Sequence, residues 1–155
     1  MYNHAPKNYK CPICQLVVGK DNQFTKLSDI IYQDKNVTSF VAANWWSNNP
    51  GHVMVIPNKH YENLYDIPDD ILCKVYSFVK KIAIVIKKSY KCDGISTRQH
   101  NEPAGDQDTW HFHVHVFPRY KNDKLYQLHL QTRWTTLEDR HPYVMELRNA
   151  LKSLS

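Results

Sequence analysis

Histidine fills every second position in His111-Phe112-His113-Val114-His115-Val116-Phe117-Pro118-Arg119. Strict alternation of polar and apolar residues is the period of a half-buried strand, so His111, His113 and His115 share one face. Phe112, Val114 and Val116 point the other way and anchor the strand in a core. Two strand rises put successive imidazoles about 6.7 Å apart. Imidazole is mostly neutral near pH 7 and can attack an electrophile, relay a proton or bind a metal. Three on one face read as a working site rather than as three structural side chains. Cys11-Pro12-Ile13-Cys14 is a second candidate, a turn that aims two thiols at one point. His52 and His60 are a third, the former delivered to the start of a strand by the turn Asn48-Asn49-Pro50-Gly51.

The chemistry open to these groups divides. Cys11 and Cys14 form a zinc half-site short of two ligands, a thioredoxin-like redox pair without the expected βαβ surroundings, or a plain buried pair. The three strand histidines resemble a three-imidazole catalytic zinc site. Yet two thiols plus His52, His60, His111, His113 and His115 exceed what one tetrahedral ion needs. A mixed cysteine–histidine site that leaves other histidines metal-free is more economical. The polar stretch from Asn101 to Thr109 runs directly into the histidine strand, and its amides can face an anion.

The elements that hold these residues fit one domain. The chain has 155 residues, 42% apolar and 23% charged, with four scattered cysteines that make no disulfide framework. Its start lacks the apolar segment of a signal peptide, and the apolar run Ile82 to Ile86 is too short for a bilayer. These features predict a cytoplasmic protein with no membrane partner. The net charge of +5 favours polyanions. Nucleic acid is the less favoured one, since no basic–aromatic repeat is present. Residues 1 to 10 read as a loose arm. Ile30 to Tyr32, Val37 to Val41, His52 to Pro57 and Ile95 to His100 read as strands. Asp66-Ile67-Pro68 opens a long helix with proline in its first turn, and Ile71, Val75, Phe78, Ile82, Val85 and Ile86 form its apolar stripe. After a stretch containing His129 and Trp134, Thr135 to Arg140 starts a second helix faced by Tyr143, Leu147, Ala150 and Leu151.

With Gly51-His52-Val53-Met54-Val55-Ile56-Pro57, His60, Glu62-Asn63 and the Asn101 to Gln107 loop ahead of the alternating histidines, residues 10 to 120 closely resemble the histidine-triad (HIT) family of nucleotide hydrolases and transferases. The resemblance implies an α+β fold: a five-stranded antiparallel sheet, one long helix across it, and a homodimer, with 121–155 a C-terminal helical extension of a single 1–155 domain. It implies cleavage at the α-phosphate of a dinucleoside polyphosphate or nucleoside phosphoramidate, with His113 as nucleophile and His115 and His52 beside it. Asn101 and Gln107 would hold phosphate, and Asn44 stands where many members carry a ribose-binding aspartate. Cys11, Cys14, His60 and His111 would ligate a structural Zn2+, with no catalytic cofactor. Asp106 is one residue more than the usual Ala-Gly-Gln, and Asp108 replaces a frequent Ser or Thr. Trp45, Trp46 and Trp110 are candidates to stack on a base. A catalytic zinc hydrolase and a non-enzymatic nucleotide-binding module are the alternatives.

Overall fold

A computed structural model describes residues 2–128 and 131–153; His129 lies outside them. Chain order is α1 (Pro12–Val17), β1 (Ile30–Gln33), β2 (Val37–Val41), β3 (Asn44–Trp46), β4 (Val53–Pro57), α2 (Asp69–Ser89), β5 (Gly94–Gln99), β6 (Val114–Arg119), β7 (Thr132–Trp134) and α3 (Leu137–Lys152). Strands β1-β2-β4-β6-β5 lie side by side in that order, each antiparallel to its neighbour, while β3 and β7 pair separately. The α+β architecture expected from the resemblance is the one that forms.

Local chemistry explains the elements. The β1–β2 hairpin closes on Asp34, whose Oδ1 accepts the backbone N–H groups of Asn36 and Val37, both at 2.7 Å. Helix α2 starts later than the sequence suggests. Pro68 is not in its first turn but stands at the cap in extended backbone, with its carbonyl taking the N–H of Ile71 and Leu72. Asp69 and Asp70 then meet the positive end of the helix dipole, and Lys87 and Lys88 the negative end. Val75, Phe78, Val79, Ile82, Val85 and Ile86 pack onto Val53, Val55, Val114 and Val116, one face of the sheet. The opposite face carries Phe40 and Ile56, covered by Ile13 and Leu16 of α1.

The C-terminal segment joins this core. Thr136 and Asp139 form a reciprocal capping box, and Val144, Leu147 and Leu151 of α3 enter the main cluster. Arg140 reaches back to Asp29 with Nε–Oδ1 at 2.8 Å and Nη2–Oδ2 at 3.0 Å, and its Nη1 donates to the Thr135 carbonyl at 2.6 Å. Both partners are buried. The N-terminal arm is docked rather than loose: Asn63 donates to the Tyr2 carbonyl at 3.2 Å, and Glu62 accepts the N–H groups of His4 and Ala5.

Arg140→Ala leaves the Asp29 carboxylate buried without its counter-charge, and urea unfolding should show a loss of about 3–5 kcal/mol. A change under 1 kcal/mol would mean that the pair does not fasten α3.

Candidate active site

The histidine row is not one continuous strand. Strand β6 begins at Val114, so of the three only His115 lies in the ladder, while Phe112 and Val114 are fully buried as expected. The segment before β6 is free of sheet pairing, and the three rings turn to different tasks.

His111 turns toward the thiols. Its Nε2 donates to the Pro57 carbonyl at 3.0 Å, which leaves the Nδ1 lone pair 3.4 Å from Cys11 Sγ and 3.6 Å from Cys14 Sγ. Cys11 is the N-cap of α1 and accepts the Cys14 N–H; Cys14 Sγ in turn lies 3.3 Å from His60 Nδ1. The four ligand atoms of Cys11, Cys14, His60 and His111 lie within 4.8 Å of one another. A tetrahedral zinc with bonds of about 2.3 Å to sulfur and 2.0 Å to nitrogen requires sulfur–nitrogen edges near 3.5 Å. The observed edges of 3.3 to 3.6 Å fit such an ion. The neighbouring Cys14 thiol, the His111 ring and the Cys14 N–H hold the Cys11 thiol well below its ordinary value, toward the thiolate a metal takes.

His113 turns the other way. Its Nδ1 donates to the carbonyl of His111 at 2.7 Å, which fixes the tautomer and leaves Nε2 with a lone pair. The ring lines a cavity of about 850 Å³ together with His52, His115, Asn44 and Trp46. The His113 and His115 ring centroids are 4.9 Å apart, closer than a regular strand would set them. His115 Nδ1 meets His52 Nε2 at 3.3 Å, and Phe117 stacks on both rings. Burial pushes all three imidazoles below their ordinary value. His52 is pushed down to about 3 by burial and then by Arg98; His115 lies well below 6.5 for the same reason, helped by the surrounding histidines. Asn44 Oδ1, Trp46 Nε1 and His52 Nδ1 are buried without a hydrogen-bond partner.

Asn101 and Gln107 stand apart from the cavity lining. Asn101 Oδ1 accepts the Leu64 N–H at 2.8 Å, and Gln107 donates to the Glu62 carbonyl at 2.6 Å while accepting the Glu102 N–H at 2.8 Å. These amides brace a loop in which Glu102 and Asp106 both hold positive φ, 62° and 65°. The added Asp106 closes its turn in left-handed backbone, and Asp106 and Asp108 reach the cavity rim as exposed groups. Of the tryptophans, Trp46 lines the cavity, Trp45 is core against Tyr143, and Trp110 lies near His4. Sequence reasoning missed Arg98 and His100, both in the lining. The signal was there: Arg98 and His100 stand two apart at the end of a strand candidate, and Arg98 pairs directly with His115. It also missed Trp134 on β7, stacked on Phe24 at 4.8 Å over the same cavity.

The HIT domain family model matches residues 23–122. An uncharacterised HIT-like protein of Methanocaldococcus jannaschii is 34% identical over 113 residues, 73% of this chain and 81% of that protein. A zinc-bound histidine triad family protein of Mycobacterium smegmatis superposes with a TM-score of 0.76 at 27% identity, over 94% of this chain and 95% of that one. An adenylylsulfatase of Arabidopsis thaliana is 28% identical over 116 residues, 75% of this chain and 55% of that protein.

The buried His52 ring gives a sign for pH dependence. Unfolded, it binds a proton below about pH 6.5; folded, it resists doing so down to about 3. Stability from this group is therefore whole above pH 6.5 and lost as the pH falls. In urea titrations between pH 6 and 4, His52→Gln should lose stability less steeply than the parent, by about 1.4 kcal/mol per pH unit. Equal slopes would mean that the folded ring titrates normally.

Proposed function

The chain belongs to the HIT family, and on that premise we propose that it is a nucleotidyl hydrolase or transferase acting at the α-phosphorus of a nucleotide conjugate. The observation that carries this reading is the His113 ring, locked by the His111 carbonyl with Nε2 unprotonated beside a large cavity. Nε2 attacks phosphorus, a P–N bond forms, and the bond to the leaving group breaks with its electron pair. The positive charge that develops on the ring is eased by the Nδ1–H bond to the carbonyl. Water or another acceptor then takes the nucleotide. Burial keeps the nucleophile neutral, so no base is needed to activate it.

His115 supplies a proton to hold phosphoryl charge. If His52 Nε2–H donates to His115 Nδ1, the unpartnered His52 Nδ1 is an acceptor, which is cheaper to bury than an orphaned N–H. His115 then carries its proton on Nε2, where it can donate to a phosphoryl oxygen. Asn44, with its unpartnered oxygen in the cavity wall, is the ribose candidate. Asn101 and Gln107 act in this reading by bracing the loop. A phosphoric anhydride and a phosphoramidate both suit the chemistry; the adenylylsulfatase relative favours an anhydride.

Cys11, Cys14, His60 and His111 would hold a structural Zn2+, which supplies a cross-link between α1 and the entry to β6. The zinc-bound relative supports this assignment. A catalytic zinc held by all three row histidines is disfavoured, because His113 and His115 lie outside the cluster. We read the protein as a cytoplasmic homodimer. No helix among the described residues is long and apolar enough to cross a membrane, and unpaired thiols suit a reducing compartment.

Two experiments test the division. His113→Ala should lower turnover at least 10³-fold, about 4 kcal/mol of barrier, and should abolish a nucleotidyl adduct seen by mass spectrometry on the parent. Near-normal hydrolysis by this variant across a nucleotide panel would defeat the assignment. In zinc titrations, one equivalent should bind to the parent and to His113→Ala but not to Cys11→Ser or His111→Ala, and chelation should lower the melting temperature. Loss of zinc from His113→Ala would reverse the division.

A further inference from the structure

One row of side chains crosses the sheet beneath the cavity. Phe40 of β2 pairs with Met54 of β4, Met54 with His115 of β6, and His115 with Arg98 of β5. All four line the cavity. Directly opposed residues on antiparallel strands share a face, so the floor runs from apolar through imidazole to guanidinium. Three strand spacings make it about 14 Å long. Ile13 and Leu16 of α1 close the Phe40 end with further apolar surface. A ligand with a planar base over that end and phosphorus at His113 and His115 directs whatever lies beyond the phosphorus toward Arg98.

Arg98 is the arginine of the cavity lining, and among the described residues it lacks an ion-pair partner. Arg148 gives its guanidinium to the backbone carbonyls of Ser28 and Ile30, and three others pair with carboxylates. Arg119 pairs with Asp123, Arg133 with Asp139 and Arg140 with Asp29. Among the described residues no carboxylate lies within ion-pair distance of Arg98. Its guanidinium instead sits over the rings of Trp46, Phe117 and Tyr126, at 5.8, 5.8 and 5.5 Å. Aromatic faces hold a cation in place but do not neutralise it. Burial keeps His52 and His115 from taking up a proton, and Asp106 and Asp108 lie at the exposed rim, where water screens them. The half-buried cation thus faces the cavity without a carboxylate in direct contact, the anions of the lining being Asp106 and Asp108 at that rim.

We propose that Arg98 is the residue that reads the leaving group, selecting substrates in which a second anionic group, phosphate or sulfate, is joined to the α-phosphate over those that release an amine. The inference rests on the nucleotidyl-transfer reading above. As His113 Nε2 bonds to phosphorus, the P–O bond breaks and its electron pair stays on the departing oxygen. Arg98 donates N–H to that oxygen or to its neighbours, so the interaction strengthens as charge accumulates there. An amine leaving group gains no such charge and must take up a proton instead, which a guanidinium cannot supply.

The test compares kcat/KM for diadenosine triphosphate with that for adenosine 5′-phosphoramidate in the parent, Arg98→Gln and Arg98→Lys. Arg98→Gln should shrink the ratio about 10- to 100-fold, the range of a hydrogen bond to a charged group, and Arg98→Lys should restore part of it. A parallel fall on both substrates overturns the proposal. A second arm needs no turnover: inorganic pyrophosphate is titrated into the full chain, with the ring resonances of His52 and His115 as readout. Binding by the parent that Arg98→Gln weakens at least tenfold supports an anion site here. No binding by the parent, or equal binding by both, overturns it. A parent that forms no nucleotidyl adduct with any nucleotide brings down the proposed function alone, since the pyrophosphate arm still decides the anion site.

Discussion

The hydrogen bond from His113 Nδ1 to the carbonyl of His111 is the constraint on which the site depends. A carbonyl inside a β ladder is already occupied by the neighbouring strand. That of His111 is available because β6 begins three residues later, at Val114. The irregular entry also lets consecutive odd-numbered rings diverge: His111 swings toward Pro57 and the thiols, and His113 toward the cavity. Phe112 holds the break in place between them, fully buried, with its N–H on the Tyr61 carbonyl at 2.6 Å. A regular strand would point all three rings one way and leave the His113 tautomer unset.

Keeping several imidazoles neutral in a buried wall costs stability, and the surrounding framework has to be rigid enough to bear it. Each buried polar atom without a partner costs about 1–3 kcal/mol, and three belong to residues in the cavity wall. The offset lies in the sheet packed on both faces and in tightly paired polar anchors away from the cavity. Asn49 donates to Pro118 and Asp123, both at 2.8 Å, and fixes the turn before His52. Gly51 in that turn has a φ of 73°, and a Cβ there would collide with the Tyr143 ring. The turn that aims His52 is therefore built against α3, so the C-terminal segment supports the site from behind while β7 brings Trp134 to its mouth.

Much of this was legible in the sequence because it rests on local rules. Alternation at Phe112, Val114 and Val116 marked the core face, and the stripe from Val75 to Ile86 marked the long helix. The helix start over Thr135 to Arg140 was readable too, and Thr136 is the residue that caps it. What stayed hidden depends on partners distant in the chain. Asn101 and Gln107 carry side chains suited to phosphate, yet their amides go to Leu64, Glu62 and Glu102, which no spacing rule reveals. The N-terminal arm looked loose for the same reason, since its anchors at Glu62 and Asn63 lie some sixty residues away. Strand β7 is three residues long and exposed, with no hydrophobic period to announce it.

Arg98 and the neutral histidines belong to one electrostatic arrangement. A phosphate brought against the buried wall of the cavity loses part of its hydration and needs a positive group nearby. Protonated imidazoles could provide that charge, but a protonated His113 would have no lone pair with which to attack. In the proposed reaction the two requirements are separated by strand: the rings assigned to attack and donation belong to β6 and its entry, and the permanent cation to β5. The separation reinforces itself, because Arg98 is among the causes that lower His52 and His115. A guanidinium stays charged at any physiological pH, so the attraction for an anion does not draw on the protons that the reaction moves.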